Sequence, residues 1–285
     1  MAQVVTSLLA EMDACGLRVY LHEPFAAWMA RMDAGSAHSL VDLRQDQGLS
    51  MAISLGGDGA LLDTVAWVGR AGLPVLGINL GRLGFLSSVH LENAKAALAA
   101  LAQGGFTLEE RSLVELVNEG QPFGEMNFAL NEISVHKRDT SSMITLHAHL
   151  NGRFLNTYWA DGLIVATPTG STAYSLSCGG PLVDPSSRTL VITPISPHNL
   201  NVRPFVIPDH VEVRLQVETR SDNYLVNLDS RGMTLNDRSD LVIRRAPYTA
   251  RLVRMAGFDL LDTLRAKLAW GMDIRSGPGP IGGND

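Results

Sequence analysis

Lysine is scarce in this chain: three, at positions 95, 137 and 267, stand against twenty arginines. None of the three follows a glycine, so the chain has no Gly-x-x-x-x-Gly-Lys-Ser/Thr phosphate loop, and a P-loop kinase is excluded. A Gly-x-Gly-x-x-Gly run after a strand is also missing, which excludes an ordinary Rossmann dehydrogenase. The Gly-x-Ser-x-Gly elbow of a hydrolase does not occur around Ser171 or Ser175, which disfavours nucleophilic serine chemistry. Two cysteines, Cys15 and Cys178, are too few and too far apart for a disulfide framework, and a reducing compartment is the default. No apolar run approaches the ~18 residues of a membrane span, and the N-terminus lacks the basic start and apolar core of a signal peptide. These absences lead to an expectation of a cytoplasmic protein without a membrane partner. A net charge of -6 and a pI near 5.7 argue against nucleic acid as a partner, which would call for a basic surface.

What remains is a chain of 285 residues, 46% hydrophobic, long enough for one large or two medium domains. Up to about residue 110 short apolar strands alternate with helical stretches. Leu17 to Leu21, Leu49 to Leu55 and Pro74 to Ile78 read as strands; Pro24 to Met32, Ala60 to Arg70 and Glu92 to Ala102 read as helices. This alternation predicts parallel βαβ units in a doubly wound α/β domain. Beyond it strands follow one another: Met143 to Leu150 and Arg153 to Trp159 around the Asn151-Gly152 turn, then Thr189 to Thr193, Val211 to Val217, Asn223 to Leu228, Leu241 to Arg245 and Arg251 to Met255. The expected fold class is α/β, an N-terminal doubly wound domain over 1–110 followed by a β-rich domain over 111–257. A C-terminal helix within 258–275 would pack back on the first domain, and the Gly/Pro-rich stretch 276–285 would be a disordered tail.

Two clusters carry chemistry. From Ala160 to Ser175 a carboxylate, five Ser/Thr hydroxyls, two glycines and a proline surround the apolar run Leu163 to Ala166. Such a run reads as a buried strand with Asp161 at one end and the Thr/Gly/Ser cluster at the other. The cluster offers backbone N–H groups and hydroxyls to a ligand rich in ribose, amide and phosphate oxygens. Upstream, the strand Leu49 to Leu55 runs through Gly56-Gly57-Asp58-Gly59 into a segment of helical composition. Glycines let backbone approach a ligand, and the unpaired N–H groups that open a helix make a phosphate seat. Asp58 is then conspicuous: it either handles a proton or a metal beside phosphate, or simply N-caps the helix.

Together these clusters resemble the NAD kinase family, whose pieces occur here in order over roughly residues 49 to 271. They are the Gly-Gly-Asp-Gly turn, the loop Asn79-Leu-Gly-Arg-Leu-Gly-Phe-Leu86, the pair Asn131-Glu132, the Asp-Gly to Ser-Thr-Ala-Tyr-Ser block, and Thr193-Pro-Ile-Ser-Pro-His198 with Arg203-Pro204. The resemblance implies an active site in the cleft between the two domains. It implies transfer of the γ-phosphoryl of ATP, with a divalent metal, Mg2+, to the adenosine ribose 2'-hydroxyl of NAD, giving NADP and ADP. It also implies a homodimer or homotetramer.

The family's roles carry over residue by residue. Asp58 matches the general base, and Gly56, Gly57 and Gly59 hold phosphate. Asn131 and Glu132 match the pair that holds sugars and an adenine, and Asp161 the aspartate near the nicotinamide end. Thr172, Ala173, Tyr174, Ser175 and Ser177 match the block lining base and ribose. Phe85 would flank the substrate, and Arg231, in Asp229-Ser-Arg-Gly, would reach a substrate phosphate. Trp159, two residues before Asp161 on one strand, would share its face and favour NAD over NADH through its indole; the competing reading buries the indole in the hairpin core. No residue is assigned as a metal ligand: His147 and His149 alternate on a strand, with no third ligand at metal spacing. His136-Lys137-Arg138-Asp139 reads as a solvated strand end. Family members begin with a strand, whereas Met1 to Cys15 already reads as the first helix, so that strand is either missing at this start or replaced. Two alternatives remain: a lipid kinase of the diacylglycerol type, which shares the Gly-Gly-Asp-Gly turn, and a dinucleotide sensor without catalysis.

Overall fold

The computed structural model describes residues 2–32, 38–41, 48–81, 84–118, 120–138, 143–220, 223–236, 240–257 and 259–269. The first part of the chain alternates as its periodicity predicts: α1 (Ala2–Ala14), β1 (Tyr20–His22), α2 (Glu23–Arg31), β2 (Ser39–Val41), β3 (Ala52–Leu55), α3 (Asp58–Val68), β4 (Val75–Asn79), β5 (Val89–His90) and α4 (Ala94–Ala102). Strands β3, β4 and β5 pair in parallel, while β1 and β2 form a separate parallel pair. In α1, Val5, Leu8, Leu9 and Met12 recur at helical spacing and bury one face against Leu76, Ile78 and Leu98. The opposite face of the sheet is covered by α3 through Leu61, Val65 and Val68.

The chain then becomes β-rich: β6 (Phe106–Val117), β7 (Phe128–Ala129), β8 (Glu132–Lys137), β9 (Ile144–Leu150), β10 (Arg153–Ala160), β11 (Gly162–Ala166), the short helix α5 (Tyr174–Ser177), β12 (Thr189–Ile195), β13 (Phe205–Pro208), β14 (Val213–Glu218), β15 (Asn223–Leu228), β16 (Arg231–Asn236), β17 (Leu241–Met255) and α6 (Leu260–Leu268). Asn151 and Gly152 both take positive φ, 48° and 78°, which gives the β9–β10 hairpin its tight turn. An antiparallel sheet runs β13-β12-β11-β8-β15-β16. Its inner face, including Ile133, Val135, Leu163 and Val226, packs on β9 and β14 through Leu146, Ala148 and Leu215. Its outer face carries Ile164, Ala166 and Val191 under Cys178 and Val183.

The two regions are joined by β6 and β17, which pair antiparallel from Phe106↔Met255 to Val117↔Val242 with one irregularity between Arg245 and Thr249. One end of β17 pairs with β14 and the other with β4, so both regions share one sheet in the order β10-β9-β14-β17-β4-β3. Two expected strands, Leu241 to Arg245 and Arg251 to Met255, are thus a single bent one. The expected division at residue 110 falls inside β6. The structure adds β2, β5, β6, β7, β8, β13 and β16 to the anticipated strands. The expected final helix is observed as α6, whose Lys267 ammonium lies 6.0 Å from the Phe85 ring centroid. Phe258, Trp270 and the expected tail lie outside the described residues. Among those residues no helix is long and apolar enough to cross a membrane.

Candidate active site

The Gly-rich turn leaves β3 at Gly56 and enters α3 at Asp58, with Gly57 as the cap residue. Gly56 has φ 154°, and a Cβ there would lie 2.7 Å from that of Ala60, so the turn itself requires glycine. Gly57 and Gly59 meet nothing within 4 Å, so their Cβ positions open onto free space. Asp58 does not cap its helix. Its carboxylate instead accepts the N–H groups of Phe85 at 2.8 Å and Leu86 at 3.1 Å. Gly84 makes this possible, because a Cβ there would lie 1.8 Å from Asp58 Oδ1. Phe85 itself is half-buried on that loop.

The second group of side chains sits on the outer face of the six-stranded sheet. Along β8, Ile133 and Val135 point into the core, so Glu132, Ser134 and His136 share the other face. Asp229 organises the start of this row. It takes φ 52° in the turn after β15, and its carboxylate accepts the N–H groups of Leu130, Asn131 and Glu132 at 2.8, 2.8 and 3.3 Å. Burial nevertheless pushes the Asp229 carboxyl above its ordinary range. Glu132 is pushed up to about 8, first by burial and then by the neighbouring Asp229 charge, against the N–H of Tyr174 that bonds its carboxyl. Asn131 Oδ1 and Glu132 Oε2 are buried without a hydrogen-bond partner in the protein. Buried acceptors left open in this way are expected where a polar ligand completes them.

The Thr/Gly/Ser block closes over that pair. Thr167 donates its hydroxyl to Leu130 O at 2.6 Å and its N–H to Asn131 O at 2.8 Å. Gly170 packs so closely that a Cβ would lie 2.1 Å from Asn131 O. Thr172 and Ala173 are half-buried in the turn, while Tyr174 and Ser177 are exposed on α5. The Tyr174 ring stacks on His136 with centroids 5.6 Å apart and planes 17° off parallel. Burial, then Cys178 and the charges of Asp161 and Glu132, push the phenol up. His136 is pushed down by burial, which outweighs Asp161. Asp161 pairs with Lys137 at 2.6 Å, so residues read as a solvated strand end are part of the cluster.

Three of the expected site residues have other surroundings than the sequence suggests. The Ser175 hydroxyl, expected to line base and ribose, is fully buried and shares a 2.8 Å hydrogen bond with Thr193, because α5 turns that side chain onto β12. Arg231, expected at a substrate phosphate, donates to the carbonyls of Met126, at 2.6 Å, and Phe128, where it holds the segment leading into β7. Trp159 and Asp161 do not continue one strand: β10 ends at Ala160 in one sheet, and Asp161 donates its N–H to Ile195 O in the other. Residue alternation therefore fails to relate them. The indole is 45% exposed, so it is not the core residue of its hairpin.

The chain also matches known proteins. Residues 16–106 match the ATP-NAD kinase N-terminal domain, and residues 130–255 the ATP-NAD kinase C-terminal domain. A protein of Flavobacterium psychrophilum named NAD kinase is 43% identical over 96% of this chain and 95% of its own length. One of Flavobacterium johnsoniae with the same name is 50% identical over 81% of this chain and 79% of its own. In fold, the chain resembles yeast NADH kinase complexed with NADH, with a TM-score of 0.84 at 22% identity, covering 97% of this chain and 86% of that one. It also resembles an NAD kinase from Archaeoglobus fulgidus in complex with ATP, with a TM-score of 0.69 at 24% identity, covering 87% and 94% respectively. Both domain matches, and relatives this similar along almost the whole chain, leave no place for a lipid kinase: the chain belongs to the NAD kinase family.

Proposed function

We propose that this chain transfers the γ-phosphoryl group of ATP to the 2'-hydroxyl of the adenosine ribose of NAD, with Asp58 as the general base. The observation that carries the reading is the Asp58 carboxylate, fixed by two backbone N–H groups at the mouth of a glycine turn with open Cβ positions. A carboxylate is a far weaker base than a ribose alkoxide, so early and complete deprotonation of the hydroxyl is disfavoured. Asp58 instead orients the hydroxyl and accepts its proton late, as the bond to the leaving phosphate loosens.

On the acceptor side, Asn131 and Glu132 take ribose hydroxyls and an adenine through their open oxygens. Thr172, Ala173, Tyr174 and Ser177 border the base, and Asp161 with Lys137 borders the nicotinamide end. On the donor side, a cavity of about 440 Å3 at the C-terminal ends of β3 and β4 is lined by Phe25, Trp28, Gly56, Gly57 and Asn79. Nucleotides favour such strand ends in parallel sheets, which supports ATP here with its phosphates over Gly57 and Gly59. Among the described residues no group of three or more His, Cys, Asp or Glu is gathered to cage a cation. Mg2+ is assigned to the ATP substrate, whose phosphates bind it with few ligands from a protein. A homodimer or homotetramer and a cytoplasmic site complete the reading.

The test is Asp58→Asn, which keeps the shape of the side chain. It is expected to bind NAD within a few-fold of the parent and to lose about 10² to 10⁴ in kcat. Near-normal turnover of the purified variant with NAD and ATP would remove Asp58 as the base.

A further inference from the structure

A chain of polar contacts links the two halves of the site. The loop that holds Asp58 presents its Leu86 carbonyl to Arg254, whose Nη1 donates to it at 2.7 Å. Arg254 Nε donates to Glu109 Oε2 at 2.5 Å, and Glu109 Oε1 meets Arg111 Nη2 at 2.7 Å. Arg111 Nη1 then donates to Thr169 Oγ1 at 3.2 Å, in the turn whose Thr167 bonds the backbone of Leu130 and Asn131. The path thus begins at Asp58 and ends at the pair that is to hold the acceptor.

These side chains meet because of register. Glu109 opposes Leu252 and Thr107 opposes Arg254, so Glu109 and Arg254 are diagonal neighbours on one face of the β6–β17 pair, and Arg111 follows two residues after Glu109. That face lies under α3, the helix that Asp58 opens. The side chains of Arg111 and Arg254 are only 3% and 7% exposed. Two guanidinium groups in the interior share one carboxylate, an arrangement that burial disfavours and that hydrophobic residues of similar size could replace for stability alone. Their planar forks instead give each arginine two directed arms, one to Glu109 and one to a part of the site.

We propose that Arg254, Glu109 and Arg111 are positioning residues, a buried brace that holds the Asp58 carboxylate and the Asn131–Glu132 pair at the separation phosphoryl transfer requires. The inference rests on Asp58 being the base. The brace does not touch substrate but sets the distance between the base and the residues that hold the acceptor, so its loss acts on turnover more than on binding. A misplacement of ~1 Å costs on the order of 10²-fold in rate when reacting groups must be aligned.

The experiment is a double-mutant cycle with KM and kcat measured separately for NAD and ATP. Arg254→Lys keeps the charge and its attraction to Glu109 but loses the second arm to Leu86; it is expected to lower kcat about ten-fold or more with both KM values within about three-fold. Thr169→Val removes the anchor at the far end and should do likewise, with Thr169→Ser restoring turnover. In an Asp58→Asn background, Arg254→Lys should add less than about two-fold, since the group it positions is gone. Wild-type kcat in both Arg254→Lys and Thr169→Val, beside a crippled Asp58→Asn, overturns the brace alone, as does a full multiplicative loss in the double variant. Normal turnover in Asp58→Asn overturns the base assignment, and the brace with it. Should Arg254→Lys fail to fold, the Thr169 pair decides the matter by rescue.

Discussion

With its pKa raised to about 8, Glu132 is a carboxyl that the folded chain keeps protonated where an unfolded chain, near 4.5, does not. Folding therefore binds a proton between those values, and the stability this contributes is complete below about 4.5 and lost as the pH rises to about 8. Glu132→Gln is neutral throughout and escapes the loss. Relative to this variant, the parent should lose about 1.4 kcal/mol per pH unit across the window and run parallel above it. Urea midpoints at pH 5, 6.5 and 8 check this; a constant difference between the two proteins would show that Glu132 does not carry a raised pKa. The same residue shows where sequence reading reached and where it stopped. Asn131-Glu132 was visible as a polar pair in an apolar stretch, but its organiser, Asp229, lies 98 residues on from Asn131 and reaches it only through the β8–β15 pairing. Ser175 and Tyr174 look alike as polar members of one block; a helix of four residues sends one hydroxyl inward and leaves the other ring exposed.

Among the elements, the strand-turn-helix unit β3-α3 separates two uses of glycine. Gly56 is required by the turn, whereas Gly57, at φ −87°, tolerates a side chain as far as the protein is concerned. Gly57→Ala is thus expected to unfold at the parent's temperature but to raise KM for ATP about five-fold or more, since a methyl group would stand where phosphate approaches the backbone. Gly56→Ala, which must push Ala60 aside, is expected to cost about 1 to 3 kcal/mol of stability. An unchanged KM in Gly57→Ala would take the phosphate seat away from this turn. Helices and strands here were legible because each buries one face at its own period; α1 and the β9–β10 hairpin follow their patterns almost to the residue. The brace was not. Glu109, Arg111 and Arg254 read as ordinary strand polar residues, and nothing local reports that β6 and β17 will align them. The edge strands β13 and β16 were missed for a related reason: their exposed residues, among them Phe205, Val206 and Met233, blur the alternation that marks a half-buried strand.

In the whole molecule, β6 and β17 belong to both regions, so neither can lose its sheet without the other. Unfolding in urea is expected to be a single transition in which tryptophan fluorescence and far-ultraviolet circular dichroism coincide. Two separated transitions would mean that the shared strands do not couple the halves. A second consequence concerns synthesis. Strand β4, made early, has β17 as its neighbour at Leu252, and that residue leaves the ribosome 177 positions after its partner Val75. At ~5 to 20 residues per second, the growing chain carries an unfinished sheet edge for roughly 10 to 35 seconds. Over that interval the nascent protein presents unpaired backbone and apolar surface to its surroundings, which makes it a client for chaperones and a hazard when crowded on polysomes. Slowing translation anywhere between β4 and β17 would lengthen the exposure.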